Sequence, residues 1–324
     1  MIVRWELEEL PAVLDGAGIE QPLLVTSERW RELDLPVAER FYGVRPHSPL
    51  ETVAAARAAA AGVDGLLALG GGSAIDTAKA VSAETGLSVV SIPTTYSGAE
   101  WTPFFGVRDE EHGVKGGGGG ARPVGIVYEP ELTLDLPQGE TGGTALNAFA
   151  HSAEALYVKG KNPDADREAL EGARLISEWL PLVLADGRYE EGRRRLLEGA
   201  MHAGAALAEA GLGLGHAMAQ ALGGSYGLSH GALNAICLPP ALRFNSTVAA
   251  EEIARLGEAM RSDDPAERAQ ELARQAGFTL LRHLGVPRDE LGDVAEEAAK
   301  RGGARANPRP ASPQEIRELY ESVW

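Results

Sequence analysis

The first half of the chain alternates short apolar runs with helical patterns, and this alternation restricts the fold more than any other feature. Strand-forming runs occupy residues 22–27 (PLLVTS), 65–70 (GLLALG) and 87–95 (LSVVSIPTT). Between them lie two alanine-rich helical segments, SPLETVAAARAAAAG and AIDTAKAVSAETG. In the first segment we expect Ser48 as the N-cap, Pro49 at the first helical position and Glu51 closing a capping box. This β-α-β-α-β order predicts a parallel sheet wrapped by helices.

Residues 99–134 interrupt the alternation. The runs FFGV and PVGIVYEP predict two strands of a hairpin-like excursion, with KGGGGGARP between them. We interpret Gly116–Gly120 as a mobile linker. The alternative is a second phosphate-binding loop, but no helix start follows these glycines.

The second half of the chain predicts helices almost throughout. The expected helices cover residues 144–159, 164–183, 189–210, 232–243, 248–261, 265–284 and 311–323. The boundary therefore lies near residues 136–143, which gives an α/β domain over 1–140 and an all-helical domain over 141–324. A cleft between two such domains is a favoured place for a ligand.

Composition and charge exclude several classes of protein. The chain has 324 residues and a formal net charge of −17, which argues against nucleic-acid binding because a phosphate backbone requires a basic surface. Cys237 is the only cysteine, so neither an internal disulfide nor a cysteine-based zinc site is possible. The N-terminus lacks the pattern of a signal peptide, and no apolar run is long enough to cross a bilayer. We therefore expect a soluble cytoplasmic protein without nucleic-acid or membrane partners.

A triple-glycine turn follows the second predicted strand. Gly70, Gly71 and Gly72 allow the backbone to approach a phosphate closely, and Ser73 is placed to start the next helix, whose N–H groups attract anions. Three consecutive glycines exceed what a tight turn requires, so a phosphate site is favoured over a turn without a ligand. The pattern is not the G-x-G-x-x-G fingerprint of a standard dinucleotide-binding fold.

The third predicted strand ends in the hydroxyl-bearing residues Thr94, Thr95, Tyr96 and Ser97. Side chains at the carboxyl end of a parallel strand face the crevice where α/β proteins bind ligands. The alternative is that the threonines simply suit a strand and its exit turn. The sequence leaves both interpretations open.

Three histidines and an asparagine stand out in the helical half. Asn147, His151 and Glu154 form a polar stripe along one predicted helix. His216 and His230 lie on either side of the glycines at 223, 224 and 227, which imply a turn that brings the two imidazoles together. A functional site and ordinary surface or core histidines both stay open on spacing alone.

Six motifs together resemble the iron-containing alcohol dehydrogenase superfamily, and most closely its maleylacetate reductase branch. In chain order they are GGGSAIDTAKA, IPTTYSGAEWTP, YEPELTLDLP, NAFAHSAEALY, LGGSYGLSHG and NPRP. The resemblance runs from Leu23 to Pro310, nearly the whole chain. It implies a dehydroquinate synthase-like fold, with an N-terminal dinucleotide-binding domain, an all-helical C-terminal domain and the active site between them. It also implies a homodimer.

The resemblance places Asn147, His151, His216 and His230 where metal-dependent members hold iron or zinc with one aspartate and three histidines. Asn147 departs from that pattern and agrees with the reductase branch. A neutral amide gives a divalent ion no charge compensation, so we expect no metal. If one binds, the expected site is iron or zinc on the three histidines. Gln220 and Pro240 replace two further histidines of many alcohol dehydrogenases.

The implied activity is reduction of the carbon–carbon double bond of maleylacetate, or of a related unsaturated oxo-diacid, to 3-oxoadipate in the degradation of aromatic compounds. The substrate is already electrophilic, so hydrogen bonds can stabilise the developing enolate without a metal. We expect His151, His216 and His230 to orient the substrate and supply protons, and Asn147 to donate to a substrate oxygen.

Further site residues are expected on the same grounds. Arg243 and Arg309 are candidate partners of the substrate carboxylates, with surface or structural ion pairs as the alternative. Tyr96 is expected to line the substrate pocket. The expected cofactor-binding residues are Ser27, Gly70, Gly71, Gly72, Ser73, Asp76, Thr94, Thr95 and Ser97. Both NADH and NADPH fit the sequence, since Ser27 tolerates a 2′-phosphate, Arg29 attracts it and Glu28 opposes it.

Other activities of the same architecture compete with this interpretation. One is a metal-dependent alcohol or polyol dehydrogenase that uses three histidines and water. Another, from a different class, is a lyase resembling dehydroquinate synthase, which would consume no NADH overall. A third is a nucleotide-binding homologue without catalysis, against which the three histidines count.

Overall fold

The computed structural model describes residues 1–111 and 114–324, with the side chains of residues 114 and 115 left out. The chain divides into two compact units, Met1–Thr133 and Leu134–Trp324. The division precedes helix α4, which begins at Gln138. The predicted fold class, an α/β unit followed by an all-helical unit, is confirmed.

The first unit is built on a parallel sheet of six strands in the order β1-β8-β5-β4-β2-β3. Its strands are β1 (Ile2–Trp5), β2 (Pro22–Val25), β3 (Glu39–Phe41), β4 (Gly65–Gly70), β5 (Ser88–Pro93) and β8 (Arg122–Tyr128). Its helices are α1 (Leu10–Gly16), α2 (Leu50–Ala59) and α3 (Gly72–Thr85). The side chains of β2 and β4 are buried throughout, as expected for central strands covered on both faces.

The strand order reverses between β2 and β4, which are neighbours in the sheet. From β2 the chain continues to β3 at one edge, whereas from β4 it continues to β5 on the other side. At such a reversal the connections after the two strands leave a crevice at their carboxyl ends, where open α/β sheets bind ligands. The topology therefore places a binding edge beside Gly70.

Two local predictions in this unit are wrong. Helix α2 has Pro49 as its N-cap and no side-chain cap, because Ser48 adopts a φ of +49° and donates its hydroxyl to the Ser73 carbonyl oxygen at 2.9 Å. Glu51 forms an ion pair with Arg45 instead of closing a capping box.

The glycine run forms a strand, so the linker interpretation is wrong for residues 116–118. Strand β7 (Val114–Gly118) pairs antiparallel with β6 (Phe105–Asp109) in a separate two-stranded sheet, and the residues between them, 112 and 113, lie outside the described residues. A Cβ atom at Gly117 would lie 2.7 Å from the Phe105 carbonyl oxygen, and one at Gly118 would lie 2.6 Å from its ring. Glycine therefore permits this close pairing. The PVGIVYEP run forms a strand as predicted, but its place in the hairpin was wrong, since it joins the main sheet as β8.

The second unit consists of helices. They are α4 (Gln138–Ala155), α5 (Pro163–Ala185), α6 (Glu190–Ala210), α7 (Leu214–Tyr226), α8 (His230–Asn245), α9 (Ala250–Met260), α10 (Pro265–Gln275), α11 (Leu291–Ala299), α12 (Gly302–Ala306) and α13 (Pro313–Glu321). Helices α7, α11 and α12 were not predicted. Helix α10 ends before Gly277, whose φ of +89° suits glycine. In the described part of the chain, no helix is both long and apolar enough to span a bilayer.

Candidate active site

The expected cofactor residues of the first unit lie along one edge of its sheet. Ser27 follows the end of β2, Gly70 ends β4, and Thr94 follows β5. Because β2, β4 and β5 are parallel neighbours, their carboxyl ends meet at this edge. The backbone N–H of Thr94 donates to the Gly70 carbonyl oxygen at 3.0 Å. This bond links the residue after β5 directly to the last residue of β4.

The glycine turn is shaped by close contacts that exclude larger residues. Gly70 has a φ of +143°, a conformation that side-chain-bearing residues rarely adopt. A Cβ atom at Gly71 would lie 2.8 Å from Cγ2 of Thr95, too near for any real side chain. Helix α3 starts directly after this turn, and its N-cap, Gly71, has no side chain to satisfy the first N–H groups.

Residues at the end of β5 pack against this turn. The buried Oγ1 atom of Thr95 has no hydrogen-bond partner among the described residues, which leaves a hydroxyl for a ligand. Ser97 lies close to Gly72, since a Cβ there would be 3.7 Å from its hydroxyl oxygen. Tyr96 is fully buried, which counts against its expected place in a substrate pocket.

The expected ribose-binding segment after β2 is stabilised by its own contacts. Ser27 is partly buried, stands at the N-cap position of the short 3-10 helix Glu28–Trp30 without a side-chain cap, and forms a bridge with Gly43. Glu28 pairs with Arg31, and the Arg29 guanidinium lies 4.9 Å from the centre of the Trp30 ring. Both charged side chains that bear on the choice between NADH and NADPH therefore have partners within the segment.

Two expected cofactor residues have structural partners. Ser73 accepts a hydrogen bond from the backbone N–H of His47 at 3.0 Å. Asp76 accepts from the backbone N–H of Gly106 at 3.0 Å and forms an ion pair with Lys79 at 3.1 Å. Asp76 on helix α3 therefore contacts strand β6 directly, and its contacts favour a structural role.

The residues at this edge fit a dinucleotide. A helix N-terminus without a side-chain cap, glycines at the closest approach and a buried hydroxyl without a partner together provide donors for a pyrophosphate. These donors carry no full positive charge, which suits an acidic chain. Gly70, Gly71, Gly72 and Thr95 are the residues that would hold the phosphates.

The three histidines come together in the second unit from three different helices. His151 lies on α4, His216 on α7 and His230 at the start of α8. The rings of His151 and His216 are stacked with their centres 4.7 Å apart, and His230 lies 5.8 Å from His216. His151 and His216 are buried, whereas His230 is partly buried. The predicted meeting of the imidazoles is therefore observed, although the segment between His216 and Gly227 is mostly helix.

Asn147 extends this cluster through a second amide. Its side-chain oxygen accepts a hydrogen bond from Nδ2 of Asn234 at 2.6 Å. Its own Nδ2 lies 3.4 Å from Nε2 of His151 and faces it. Asn147 and Asn234 are both buried, so the orientation of the amide is set by these contacts.

Asn234 was missed by the sequence reasoning. It lies four residues after His230 on α8, so the two residues share a helix face, as Asn147 and His151 do on α4. That repeated spacing of a histidine and an asparagine was the available signal.

Burial keeps His151 neutral. Its desolvation, together with the neighbouring His216 and His230, lowers the pKa of His151 well below its ordinary value of 6.5. The amide N–H of Asn147 facing Nε2 also suits an unprotonated nitrogen there. A neutral His151 can form hydrogen bonds without carrying a charge.

Glu154 is a second residue whose role the sequence did not reveal. Its side chain is fully buried on α4, and Oε2 lies 2.7 Å from Nδ1 of His216. A carboxylate behind an imidazole fixes the ring and the position of its proton. Glu154 follows His151 by three residues, but its partner on α7 is far along the chain.

The arrangement of these donors does not fit a divalent metal. The Asn147 oxygen is occupied by the Asn234 N–H, and the amide turns its N–H group toward His151. Among the described residues, no group of three or more His, Cys, Asp or Glu side chains is placed to hold a metal ion. A cation at this corner would meet positive amide hydrogens instead of a carboxylate.

Arg243 and Arg309, the expected carboxylate partners, form ion pairs elsewhere. Arg243 contacts Glu267 at 3.2 Å, with both side chains well exposed. Arg309 contacts Glu315 at 2.6 Å, and its guanidinium lies 3.9 Å from the centre of the Phe244 ring. These contacts favour the ion-pair alternative for both arginines.

Comparisons with known proteins find relatives over nearly the whole chain. The family model "Iron-containing alcohol dehydrogenase" matches residues 3–124, and "Fe-containing alcohol dehydrogenase family, C-terminal" matches residues 141–324. The chain is 36% identical to maleylacetate reductase of Burkholderia cepacia, over 97% of this chain and 96% of the relative. It is 34% identical to maleylacetate reductase 1 of Rhodococcus opacus, over 99% and 91%. The crystal structure of maleylacetate reductase from Agrobacterium tumefaciens superposes with a TM-score of 0.91 at 30% identity, covering 100% of this chain and 95% of that one.

The resemblance deduced from the motifs is thereby confirmed: the chain belongs to the iron-containing alcohol dehydrogenase family, within its maleylacetate reductase branch.

Proposed function

We propose that this protein is an NAD(P)H-dependent reductase that saturates the carbon–carbon double bond of maleylacetate, or of a closely related unsaturated oxo-diacid, to give 3-oxoadipate in the degradation of aromatic compounds. The observation that carries the proposal is the neutral corner at Asn147, which is held by Asn234 and faces His151. In metal-dependent alcohol oxidation a Lewis acid activates the hydroxyl, whereas hydrogen-bond donors can activate a conjugated ketone. The similarity to maleylacetate reductases supports the same substrate.

The substrate carries a ketone conjugated to its double bond. When bound, NADH or NADPH supplies the hydride, which adds to the alkene carbon farther from the ketone. The electron pair of the double bond then moves toward the ketone oxygen and forms an enolate. A proton added to the other alkene carbon completes the reaction, so one hydride and one proton are consumed.

Asn147 and the histidines divide the remaining tasks. An N–H of the Asn147 amide donates to the enolate oxygen, where charge develops. His151 is neutral and orients the substrate as the reaction proceeds. His216, whose Nε2 has no hydrogen-bond partner among the described residues, delivers the proton to carbon, and His230 borders the same cluster.

The proposed cofactor residues are the glycine turn, Thr94, Thr95, Ser97 and Ser27. Ser27 leaves room for either ribose, so both NADH and NADPH are proposed, with NADH first because Glu28 lies beside it. We also propose a cytoplasmic location and a homodimer, as is usual in the family. Light scattering tests the dimer.

The decisive assay follows the absorbance of NADH or NADPH with maleylacetate, with and without EDTA. We expect turnover that survives chelation and falls by about 10²-fold or more in His151→Ala, the range of a lost hydrogen-bonding group at a reaction centre. His202→Ala is the matched control. His202 on α6 pairs with Glu168 on α5, and neither residue belongs to the histidine cluster.

Two other outcomes would identify the competing activities. Rapid turnover of simple alcohols that returns on addition of iron or zinc would establish a metal-dependent alcohol dehydrogenase. A reaction that uses bound dinucleotide without net consumption of NADH would establish a lyase.

A further inference from the structure

The carboxylate of Glu154, beside the histidine cluster, accepts three hydrogen bonds. Oε2 accepts hydrogen bonds from the backbone N–H of Gly213 at 2.7 Å and from Nδ1 of His216 at 2.7 Å. Oε1 accepts from the backbone N–H of His216 at 3.2 Å. Three donors thus meet one carboxylate with no exposed surface. Hydrogen bonds to a buried carboxylate are strong because the local dielectric is low.

This carboxylate also caps helix α7 from outside the helix. Gly213 is the N-cap of α7 and has no side chain to cap it, and His216 is the third residue of the helix. Glu154 therefore accepts from two N–H groups of the first turn, where a negative charge is favoured by the helix dipole.

Glycines leave the space that Glu154 occupies. A Cβ at Gly213 would lie 3.0 Å from its carboxyl carbon, and one at Gly215 would lie 2.9 Å from Oε1. Side chains at either position would displace the carboxylate, so the LGLG segment before His216 is matched to it.

The pairing determines where His216 carries its proton. Because Oε2 of Glu154 is an acceptor, Nδ1 of His216 must be the protonated nitrogen of the neutral ring. Nε2 then faces the cluster without a hydrogen-bond partner among the described residues. His151 differs from His216 in that its Nε2 is already faced by the Asn147 amide.

We propose that Glu154 is a positioning residue, which fixes His216 in the Nδ1–H form and so makes Nε2 the atom that passes a proton to the substrate. The inference rests on the proposed function for the identity of the substrate. Nε2 of the neutral ring first takes a proton from solvent, while Glu154 still accepts from Nδ1–H. In the proton step this new N–H bond at Nε2 breaks and a C–H bond of the product forms. The ring returns to its neutral Nδ1–H form, and Glu154 stays ionised throughout.

Glu154→Gln is the most informative variant. Glutamine has nearly the same shape but only one acceptor oxygen, so it cannot serve Nδ1 of His216 and both backbone N–H groups. We expect kcat to fall by about 10²-fold or more while KM and the Kd for NADH change little. Loss of an outer partner of a functional histidine typically costs roughly 10–100-fold, and neutralising the carboxylate of a catalytic triad roughly 10⁴-fold.

The chain provides a matched control. Glu168 lies 2.7 Å from Nδ1 of His202, the same pair of atoms at the same distance, but both side chains are partly exposed. Glu168→Gln should leave kcat unchanged. A fall in kcat as large as that of Glu154→Gln would show that any such pair matters and would overturn the proposal.

Nitrogen NMR of the free protein tests the tautomer directly, without substrate. With ¹⁵N-labelled histidine, we expect the neutral ring of His216 to carry its proton on Nδ1 in the wild type and to lose this preference in Glu154→Gln. A proton on Nε2 in the neutral wild-type ring would overturn the proposal. The expected spectrum would support the role of Glu154 even if maleylacetate proved not to be the substrate.

A double-mutant cycle separates positioning from simple structural support. If Glu154 acts through His216, adding Glu154→Gln to His216→Asn should lower the single-turnover rate by less than about 3-fold. Equal losses in both backgrounds would mean that Glu154 supports the fold alone and would overturn the proposal. Thermal unfolding of each variant checks that it is folded.

Discussion

Replacing Asn147 with aspartate should abolish or reverse the contribution of His151 to the pH dependence of stability. In the wild type the pKa of His151 lies well below 6.5 because the ring is buried beside His216 and His230. As the pH falls through 6.5, the unfolded chain therefore takes up a proton that the folded protein does not, and the free energy of unfolding decreases. From about pH 7.5 to about pH 5.5 this single group removes about 1.4 kcal/mol.

The aspartate changes the sign of the interaction at one atom. The amide nitrogen that now lies 3.4 Å from Nε2 of His151 becomes a carboxylate oxygen. At an effective dielectric constant of about 20, a unit charge at this distance favours the protonated ring by about 5 kcal/mol, which corresponds to a rise of about 3.5 in its pKa. The folded variant should then bind the proton far more readily than the folded wild type does.

Urea unfolding at about pH 7.5, 6.5 and 5.5 measures the effect, since subtracting the two proteins cancels the titration of other groups to first order. We expect the wild type to lose about 1.4 kcal/mol more than Asn147→Asp over this range. His283→Asn, at an exposed histidine, serves as a substitution control. Parallel pH profiles for wild type and Asn147→Asp would refute the neutral, buried state of His151 and the placement of the amide beside it.

Two further substitutions test the cofactor edge and the surface arginine. Gly71→Ala places a Cβ 2.8 Å from Cγ2 of Thr95, so we expect a loss of about 1–3 kcal/mol in stability and roughly a 10-fold or greater rise in the Kd for NADH. Gly139→Ala, on helix α4 with nothing within 4 Å of the new Cβ, should leave the Kd unchanged and should not lower stability. Arg309→Ala removes a partly exposed ion pair with Glu315 and should cost about 1 kcal/mol in urea unfolding without changing KM for maleylacetate; a 10-fold rise in KM would show that the arginine binds substrate.

The parallel sheet and the helical second unit were predictable because their signals are local. Strands β4 and β5 read as apolar runs bounded by turns, and Gly70 to Gly72 mark the exit of a buried strand. Strand β7 was not predictable, since a run of glycines has little strand propensity and pairs here only because Phe105 needs the space opposite it. Its pairing is a tertiary effect.

The contacts of the candidate site also fall into two classes: local contacts, which the sequence can predict, and contacts between distant positions, which it cannot. Asn147 and His151 lie four residues apart on one helix, so their proximity follows from helical geometry. The bond between Glu154 and His216 joins positions 62 residues apart, and the amide pair of Asn147 and Asn234 joins positions 87 apart. Such contacts depend on how α4, α7 and α8 pack, which the spacing of residues does not encode. The ion pair of Arg309 with Glu315 is a local contact that the sequence left open.

The proposed function requires an acidic protein to accept a dianionic substrate, and the two buried partners of the histidine cluster bear on this requirement. In a metal-binding arrangement a carboxylate faces the ligand and requires a cation to offset it. Here position 147 is an amide, and the carboxylate of Glu154 lies behind His216, where it accepts hydrogen bonds from three N–H groups. The negative charge thus acts on the ring and not on the substrate. A site built in this way presents an amide and imidazoles, and no carboxylate, to a carbanion-like intermediate.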